Sequence, residues 1–289
     1  MANLLEPITI GGKLPLRNRI AMGSMTRNRC IDDNKPDPSQ IKYYADRAKY
    51  STGLIVTEGT FVDWTGCDWK HAPFMVTKEH ADAWRKVTGA VHDVGGKIFF
   101  QAWHAGRCQH DQLSIIREKG GKVLAPSVIK AQGGKYRDLP GMPRLSTPTV
   151  PQQMPLHPRT RRCNRRRRGA ETAPGSGEFF GPLPHPEGYP LPPGYDPVLD
   201  FGKLVKFPGS PTLLMANHNY TVETANTLVE AGKLDMITFA RAFIWNADLV
   251  SRIAHGIPLA ENDRGPWVFY GLEETPDEGY NDWPVASTA

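Results

Sequence analysis

No apolar run in this 289-residue sequence approaches the ~20 residues that a membrane-spanning helix needs. The opening Met-Ala-Asn-Leu-Leu-Glu-Pro has no basic stretch followed by an apolar core, so neither a signal peptide nor a membrane partner is expected. Cysteine is scarce: Cys30, Cys67, Cys108 and Cys163 stand far apart, with no Cys-x-x-Cys pair and no histidines at zinc-finger spacing. Reduced thiols in a cytoplasmic protein are therefore expected, and a disulfide scaffold or structural zinc site is not. No Gly-x-Gly-x-x-Gly follows a strand-like segment, which argues against a dinucleotide-binding fold.

The net charge of +5 is a local property. Arg144, Arg159, Arg161, Arg162 and Arg165 through Arg168 meet only two acids, Glu171 and Glu178, between residues 144 and 185. That window carries +6, so the rest of the chain sums to −1. A basic folded domain is thus not indicated. The run RTRRCNRRRR at 159–168 leaves one rival reading open, a tract that contacts RNA or another polyanion. It lacks the interleaved aromatics that stack bases.

What is present is alternation. Ile20-Ala21-Met22, Leu54 to Thr57 and Lys97 to Trp103 read as strands. Between them lie helices over Ser39–Lys49, with Ser39 as N-cap, and Lys78–Val94, with Trp84, Val87, Val91 and Val94 on one face and Gly95-Gly96 as the stop. The unit returns near the end. Thr212 to Ala216 and Met236 to Phe239 are strands, Thr221 caps a helix over Val222–Ala231, and Asn246 caps one over Ala247–Ala254. The order predicts a parallel α/β fold. Fourteen of the 26 prolines lie from Pro140 to Pro197, where regular α/β structure is excluded. The expected organisation is an N-terminal part over 1–142, an irregular Pro/Arg-rich segment over 143–186 and a C-terminal part over 187–289.

Ligands of parallel α/β folds bind at the C-terminal strand ends. Here these offer Ser24-Met25-Thr26-Arg27, Glu58-Gly59, Gln101-Ala102-Trp103-His104, Asn217-His218-Asn219-Tyr220 and Ala240-Arg241. Hydroxyl, carboxamide, glycine, indole and arginine suit a flat hydrogen-bonding heterocycle that carries a phosphate. Read singly, each has an ordinary alternative: Gln101 and Thr26 as loop caps, Trp103 as core, Arg241 as a salt-bridged surface residue, His104 and His218 as loop histidines.

Longer motifs are more specific. LRNRIAMGSMTRNR at 16–29, LIVTEGTFV at 54–62, FFQAWHAGR at 99–107, VLAPSVI at 123–129, ITFARAFIWNADLVSRI at 237–253, PLAENDRGPWVFYG at 258–271 and GYNDWP at 279–284 occur in this order. They resemble the old yellow enzyme family of FMN-dependent ene-reductases, over about residues 3–142 and 187–289. The resemblance implies a (β/α)8 TIM-type barrel, of which about five of eight strands are recognisable here, with FMN at its mouth and NADPH or NADH as reductant. The implied substrate is a small activated alkene such as an enone.

By motif, Ser24, Met25 and Thr26 fall on the stretch lining the flavin, Gly59 beside the ring and Gln101 at its pyrimidine edge. Asn217, His218, Asn219, Ala240 and Arg241 fall on the phosphate side, and Phe269 and Tyr270 at the dimethylbenzene end. Trp103 and Tyr270 fall on the substrate pocket. Ser24 stands where many members have proline, and Ala240 where glycine usually precedes the arginine.

The catalytic residues are unassigned. The family motif like H-x-A-N/H-G-Y-L, which holds the substrate carbonyl and supplies the proton, is missing. His157, His185, Tyr189 and Tyr195 lack its flanking residues. The segment in its place looks like sequence translated out of frame or mis-spliced. The activity of the chain is expected to be impaired, and a degenerate, non-catalytic flavin binder is the alternative.

Overall fold

The computed structural model describes residues 2–30, 33–109, 113–129, 196–217, 219–270, 275 and 277–286. The expected boundaries at 142 and 187 and the Pro/Arg-rich segment lie outside the described residues, as do Cys163 and the arginine run.

Five strands form one parallel sheet. They are β3 (Ile20–Met22), β4 (Leu54–Val56), β6 (Ile98–Phe99), β8 (Met215–Ala216) and β9 (Met236–Phe239), in the order β6-β4-β3-β9-β8. Ala21 lies opposite Leu54 on one side, and Ile20 opposite Ile237 on the other. The early and late parts of the chain are therefore hydrogen-bonded neighbours in one sheet, with three early strands and two late ones, as the alternation predicts.

Side-chain alternation separates the two faces of the sheet. Ile20, Met22, Ile55, Ile237 and Phe239 pack with helix residues Tyr43, Tyr44, Trp84, Val87, Val91 and Val229 in the main core. Ala21, Leu54 and Met236 point the other way. They meet Leu16 and the apolar side chains of an antiparallel hairpin, β1 (Ile8–Ile10) with β2 (Leu14–Leu16). Since all five strands run the same way, their C-terminal ends share one rim. Exposed Phe99 and Met215 stand on β6 and β8, the outermost described strands.

Local chemistry corrects several expected boundaries. The first long helix is Pro38–Lys49, and its N-cap is Asp37, not Ser39. The Asp37 carboxylate accepts the Ser39 N–H at 2.7 Å, while Gln40 Oε1 accepts the Asp37 N–H at 2.8 Å. Pro38 at the first position is already set for helix, which moves the start one residue earlier. The second helix, Lys78–Asp93, begins at Thr77 and buries Trp84, Val87 and Val91, but Val94 is exposed. Thr221 caps Val222–Glu230 as expected.

Asn246 does not cap the last helix, Leu249–His255, which Asp248 precedes. Its side chain instead donates to the carbonyls of Ala242 and Ala260 and accepts the Ala260 N–H, pinning a loop. The expected strand at 212–216 is shortened to Met215–Ala216, and that at 54–57 to Leu54–Val56.

The expected strand at 97–103 is broken in two. Thr57 N–H still reaches the Phe99 carbonyl at 2.9 Å, but the Gln101 N–H turns to the Thr57 hydroxyl at 3.0 Å. The chain resumes as β7 (Ala102–Trp103), paired in parallel with β5 (Thr60–Phe61) beyond the sheet. A side-chain acceptor replaces a ladder carbonyl at the point where Gln101 enters the rim.

Candidate functional site

The break at Gln101 organises one end of the rim. Ser24 Oγ–H, in the loop after β3, donates to Gln101 Oε1 at 2.5 Å across the intervening strand β4. With that oxygen engaged, the carboxamide turns its NH2 away from Ser24 as a donor. Gly59, past the end of β4, lies beside the Gln101 carboxamide. A methyl placed on it would stand 3.4 Å from Trp103 Cγ and 3.5 Å from Gln101 Oε1. Trp103 closes this side and is nearly half exposed (46%). The structure thus brings Ser24, Gly59, Gln101 and Trp103 together around a floor without a side chain.

Met25 packs against the main core, and Thr26 is half-buried beside it. On the other side of β3, the Gly23 N–H donates to the Phe239 carbonyl at 2.8 Å. A methyl on Gly23 would lie 3.5 Å from Ala240 Cβ, so Ala240 borders the same loop. Arg241 follows, half-buried, and opens the short helix Ala242–Trp245. Asn217 leaves the end of β8 exposed, and Asn219 has a left-handed backbone (φ +33°) that asparagine tolerates. His218 lies outside the described residues. These phosphate-side residues share the rim but stand one to two strands from Ser24.

Phe269 and Tyr270 end the turn Pro266–Phe269. Phe269 stacks on Trp245, with ring centroids 6.0 Å apart, and Tyr270 lies 4.4 Å from Trp69. Burial pushes the Tyr270 phenol above its ordinary pKa. His104 is a loop histidine: its Nδ1 accepts the Gly106 N–H at 2.9 Å, and its ring presses on Gly66. Partial desolvation lowers its pKa below the usual 6.5. His157, His185, Tyr189 and Tyr195 lie outside the described residues. Among the described residues no group of three or more His, Cys, Asp or Glu side chains is placed to hold a metal.

Two residues of the strand-end motifs to which no role was assigned prove central. Arg27 and Glu58 are each 1% exposed. Glu58 Oε2 accepts the Arg27 N–H at 3.0 Å, and the Tyr44 hydroxyl accepts the Glu58 N–H at 2.9 Å while pointing at Oε1, 3.4 Å away. Burial raises the Glu58 carboxyl above its ordinary range, and drives the Tyr44 and Tyr280 phenols far up. Nearby, burial lowers Arg29 to about 10, helped by the Arg27 charge. The signal in the sequence was a charged residue at the end of an apolar strand, which composition and periodicity leave unassigned.

With this geometry, comparison with known proteins is informative. Residues 3–136 match the model of the NADH:flavin oxidoreductase / NADH oxidase family. A probable flavin mononucleotide-dependent alkene reductase of Leishmania infantum is 39% identical over 132 residues, which are 46% of this chain and 34% of that protein. 12-Oxophytodienoate reductase 7 of Oryza sativa subsp. japonica is 34% identical over 142 residues, 47% of this chain and 36% of that protein. The chain thus spans about a third of the length of the curated relatives it matches.

Two solved structures share the fold. The old yellow enzyme homologue from Zymomonas mobilis superposes with a TM-score of 0.72 at 24% identity, over 98% of this chain and 100% of that one. Morphinone reductase does so with a TM-score of 0.68 at 23% identity, over 98% and 96%. The architecture is therefore α/β of the TIM-barrel type, with five parallel barrel strands among the described residues. Over residues 3–136, just under half of its length, the chain is similar to the NADH:flavin oxidoreductase / NADH oxidase family.

Proposed function

We propose that the chain holds flavin mononucleotide at the rim of its parallel sheet, as part of an NADPH- or NADH-dependent reductase of activated alkenes. The observation that carries this reading is the Gly59 floor between Trp103 and the Ser24–Gln101 pair. A flat ring needs a surface free of side chains, hydrogen-bonding groups at one edge and a hydrophobic wall, and these four residues supply them.

In this reading Gln101, Ser24 and Thr26 hold the pyrimidine edge, with Met25 behind them. Donors there stabilise negative charge on a reduced ring. Asn217, His218, Asn219 and Ala240 lie toward the phosphate, and the Arg241 guanidinium neutralises it. Phe269 and Tyr270 form the far rim, while Trp103 and Tyr270 face a small enone. Bound flavin mononucleotide supplies the hydride chemistry; the residues orient it and shield one face from water.

The parts 1–142 and 187–289 are read as two portions of one barrel, interrupted over 143–186; the pairing of β3 with β9 supports this. A reducing, cytoplasmic setting accords with the free thiols of Cys30, Cys67 and Cys108.

Turnover is expected to be severely impaired, because the sequence lacks the H-x-A-N/H-G-Y-L-like motif. Removing one preorganised donor to a developing oxyanion costs on the order of 10²–10³ in rate. Loss of a general acid costs about 10²–10⁴. The same absence favours a second reading, a flavin binder without turnover. Purified chain titrated with FMN and with NAD is expected to bind FMN more tightly, and tighter NAD binding refutes the site. In the same sample, reduction of 2-cyclohexenone at about 1 s⁻¹, an ordinary enzyme rate, refutes the impairment.

A further inference from the structure

We propose that Arg27 is a positioning residue, a buried strap that fixes the Phe269–Tyr270 turn against the loop carrying Ser24, Met25 and Thr26. The inference rests on the flavin reading only for what the two segments would jointly hold. Arg27 is two residues past Met25, and its own N–H is anchored by the Glu58 carboxylate at 3.0 Å. From there the guanidinium crosses to the C-terminal segment. Nε donates to the Phe269 carbonyl at 2.8 Å, and Nη2 to the carbonyls of Val268 at 3.1 Å and Gly279 at 2.9 Å.

One side chain thus spans three backbone carbonyls at two places in the chain, from donors that the planar guanidinium holds in a fixed fork. Its carbon centre lies 5.1 Å from the Tyr43 ring and 5.0 Å from the Tyr280 ring, and these two rings stack on each other at 4.3 Å and 7°. Arg47 caps the other side of Tyr43 at 3.5 Å, and Arg29 lies 5.0 Å from Tyr280. Helix Pro38–Lys49, the loop after β3 and residues 268–270 and 279–280 are therefore clamped by guanidiniums packed around the stacked Tyr43–Tyr280 pair.

The arrangement is expensive unless position matters. Arg27 Nη1 is buried without a hydrogen-bond partner, as are the hydroxyls of Tyr43 and Tyr280. Apolar replacement of a buried ion pair is often neutral or stabilising, so burial of charge is weak evidence of a role in stability alone. Here the guanidinium sets where the Phe269 and Tyr270 backbones sit relative to Ser24 and Thr26. The two edges of the proposed ring site consequently move together or not at all.

The test is Arg27→Lys, which keeps the charge but loses the fork, read by hydrogen exchange on the full chain. The expected result is at least tenfold faster exchange in 268–270 and 277–282, with 236–239 unchanged, and an altered visible circular dichroism of bound FMN. Unchanged protection of 268–270 and 277–282 overturns the strap. Equal loss of protection throughout the chain also overturns it, because Arg27 then serves global stability alone.

If Arg27→Lys does not fold, native-state exchange of the unmodified chain decides. The Arg27 amide, bonded to Glu58, and the Tyr280 amide, bonded to the Asp277 carbonyl, must open in one step with a common denaturant dependence. Separate openings refute the coupling. If the unmodified chain binds no FMN, the flavin reading falls, and exchange still judges the strap.

Discussion

Two glycines one strand apart make opposite predictions from the same substitution. At Gly53, just before β4, an alanine methyl would sit 2.5 Å from both the Asn18 carbonyl and its Oδ1, and 2.9 Å from the Ile20 carbonyl. These atoms cannot retreat cheaply. The Gly53 N–H donates to that same Ile20 carbonyl at 3.1 Å, and Asn18 Nδ2 holds the Ser51 carbonyl at 2.6 Å. Overpacking costs about 1–3 kcal/mol, and backbone neighbours place Gly53→Ala at or above the upper end. In a domain of this size each kcal/mol moves Tm by about 2–4 °C, so a fall of roughly 6–12 °C is expected.

At Gly59 the nearest atoms are side-chain atoms of Trp103 and Gln101 at 3.4–3.6 Å, an ordinary contact, and the backbone is not left-handed. Gly59→Ala also reduces the freedom of the unfolded chain, worth about 0.4–1 kcal/mol, so its Tm is expected within about 4 °C of the unmodified protein. Its methyl nevertheless occupies the floor of the proposed ring site. FMN affinity is expected to fall at least tenfold, a loss of about 1.4 kcal/mol. Thermal melts by circular dichroism and titration of FMN fluorescence measure both. A Gly59→Ala protein that binds FMN like the unmodified one, or a Gly53→Ala protein that melts with it, would refute the reasoning.

Ser24→Ala removes the hydroxyl from Gln101 Oε1; a stability loss of about 0.5–1.5 kcal/mol is expected in urea melts, with weaker FMN binding. Glu58 is held above its unfolded pKa by burial, so its contribution is fully present below about 4.5 and is lost as pH rises through the folded value. Glu58→Gln should therefore flatten the decline of stability as pH rises above about 4.5, and an unchanged slope in urea melts would assign the decline elsewhere. His104 is shifted the other way: its contribution is present above about 6.5 and is lost as pH falls through the folded value, which an imidazole NMR titration should place below 6.5. Phe99 and Phe100 are exposed on or beside β6, so Phe100→Lys should change Tm by no more than a few degrees in thermal melts, and a larger fall would place its ring in the core.

Much of the architecture was legible because it follows from short-range rules. Trp84, Val87 and Val91 recur at helical spacing and bury one face of Lys78–Asp93, and Ile20–Met22, Leu54–Val56 and Met236–Phe239 are apolar runs too short for anything but buried strands. The strand-end motifs placed Ser24, Gly59 and Gln101 on one rim, because parallel strands end together. Competition between neighbours was harder to read: Asp37 and Ser39 are both good caps, and Pro38 decides between them.

Only the tertiary structure decided where the charges went. Arg27, Arg29 and Arg47 are all buried, against the usual habit of arginine, since their partners are carbonyls and tyrosine faces brought in from as far as residue 280. The Ser24–Gln101 bond joins positions 77 residues apart, and at the break the Gln101 N–H bonds the Thr57 hydroxyl just past the neighbouring strand. Sequence periodicity reports which side of an element faces inward. What that side meets depends on chain closure over hundreds of residues, and the energy of each meeting resides in the pair.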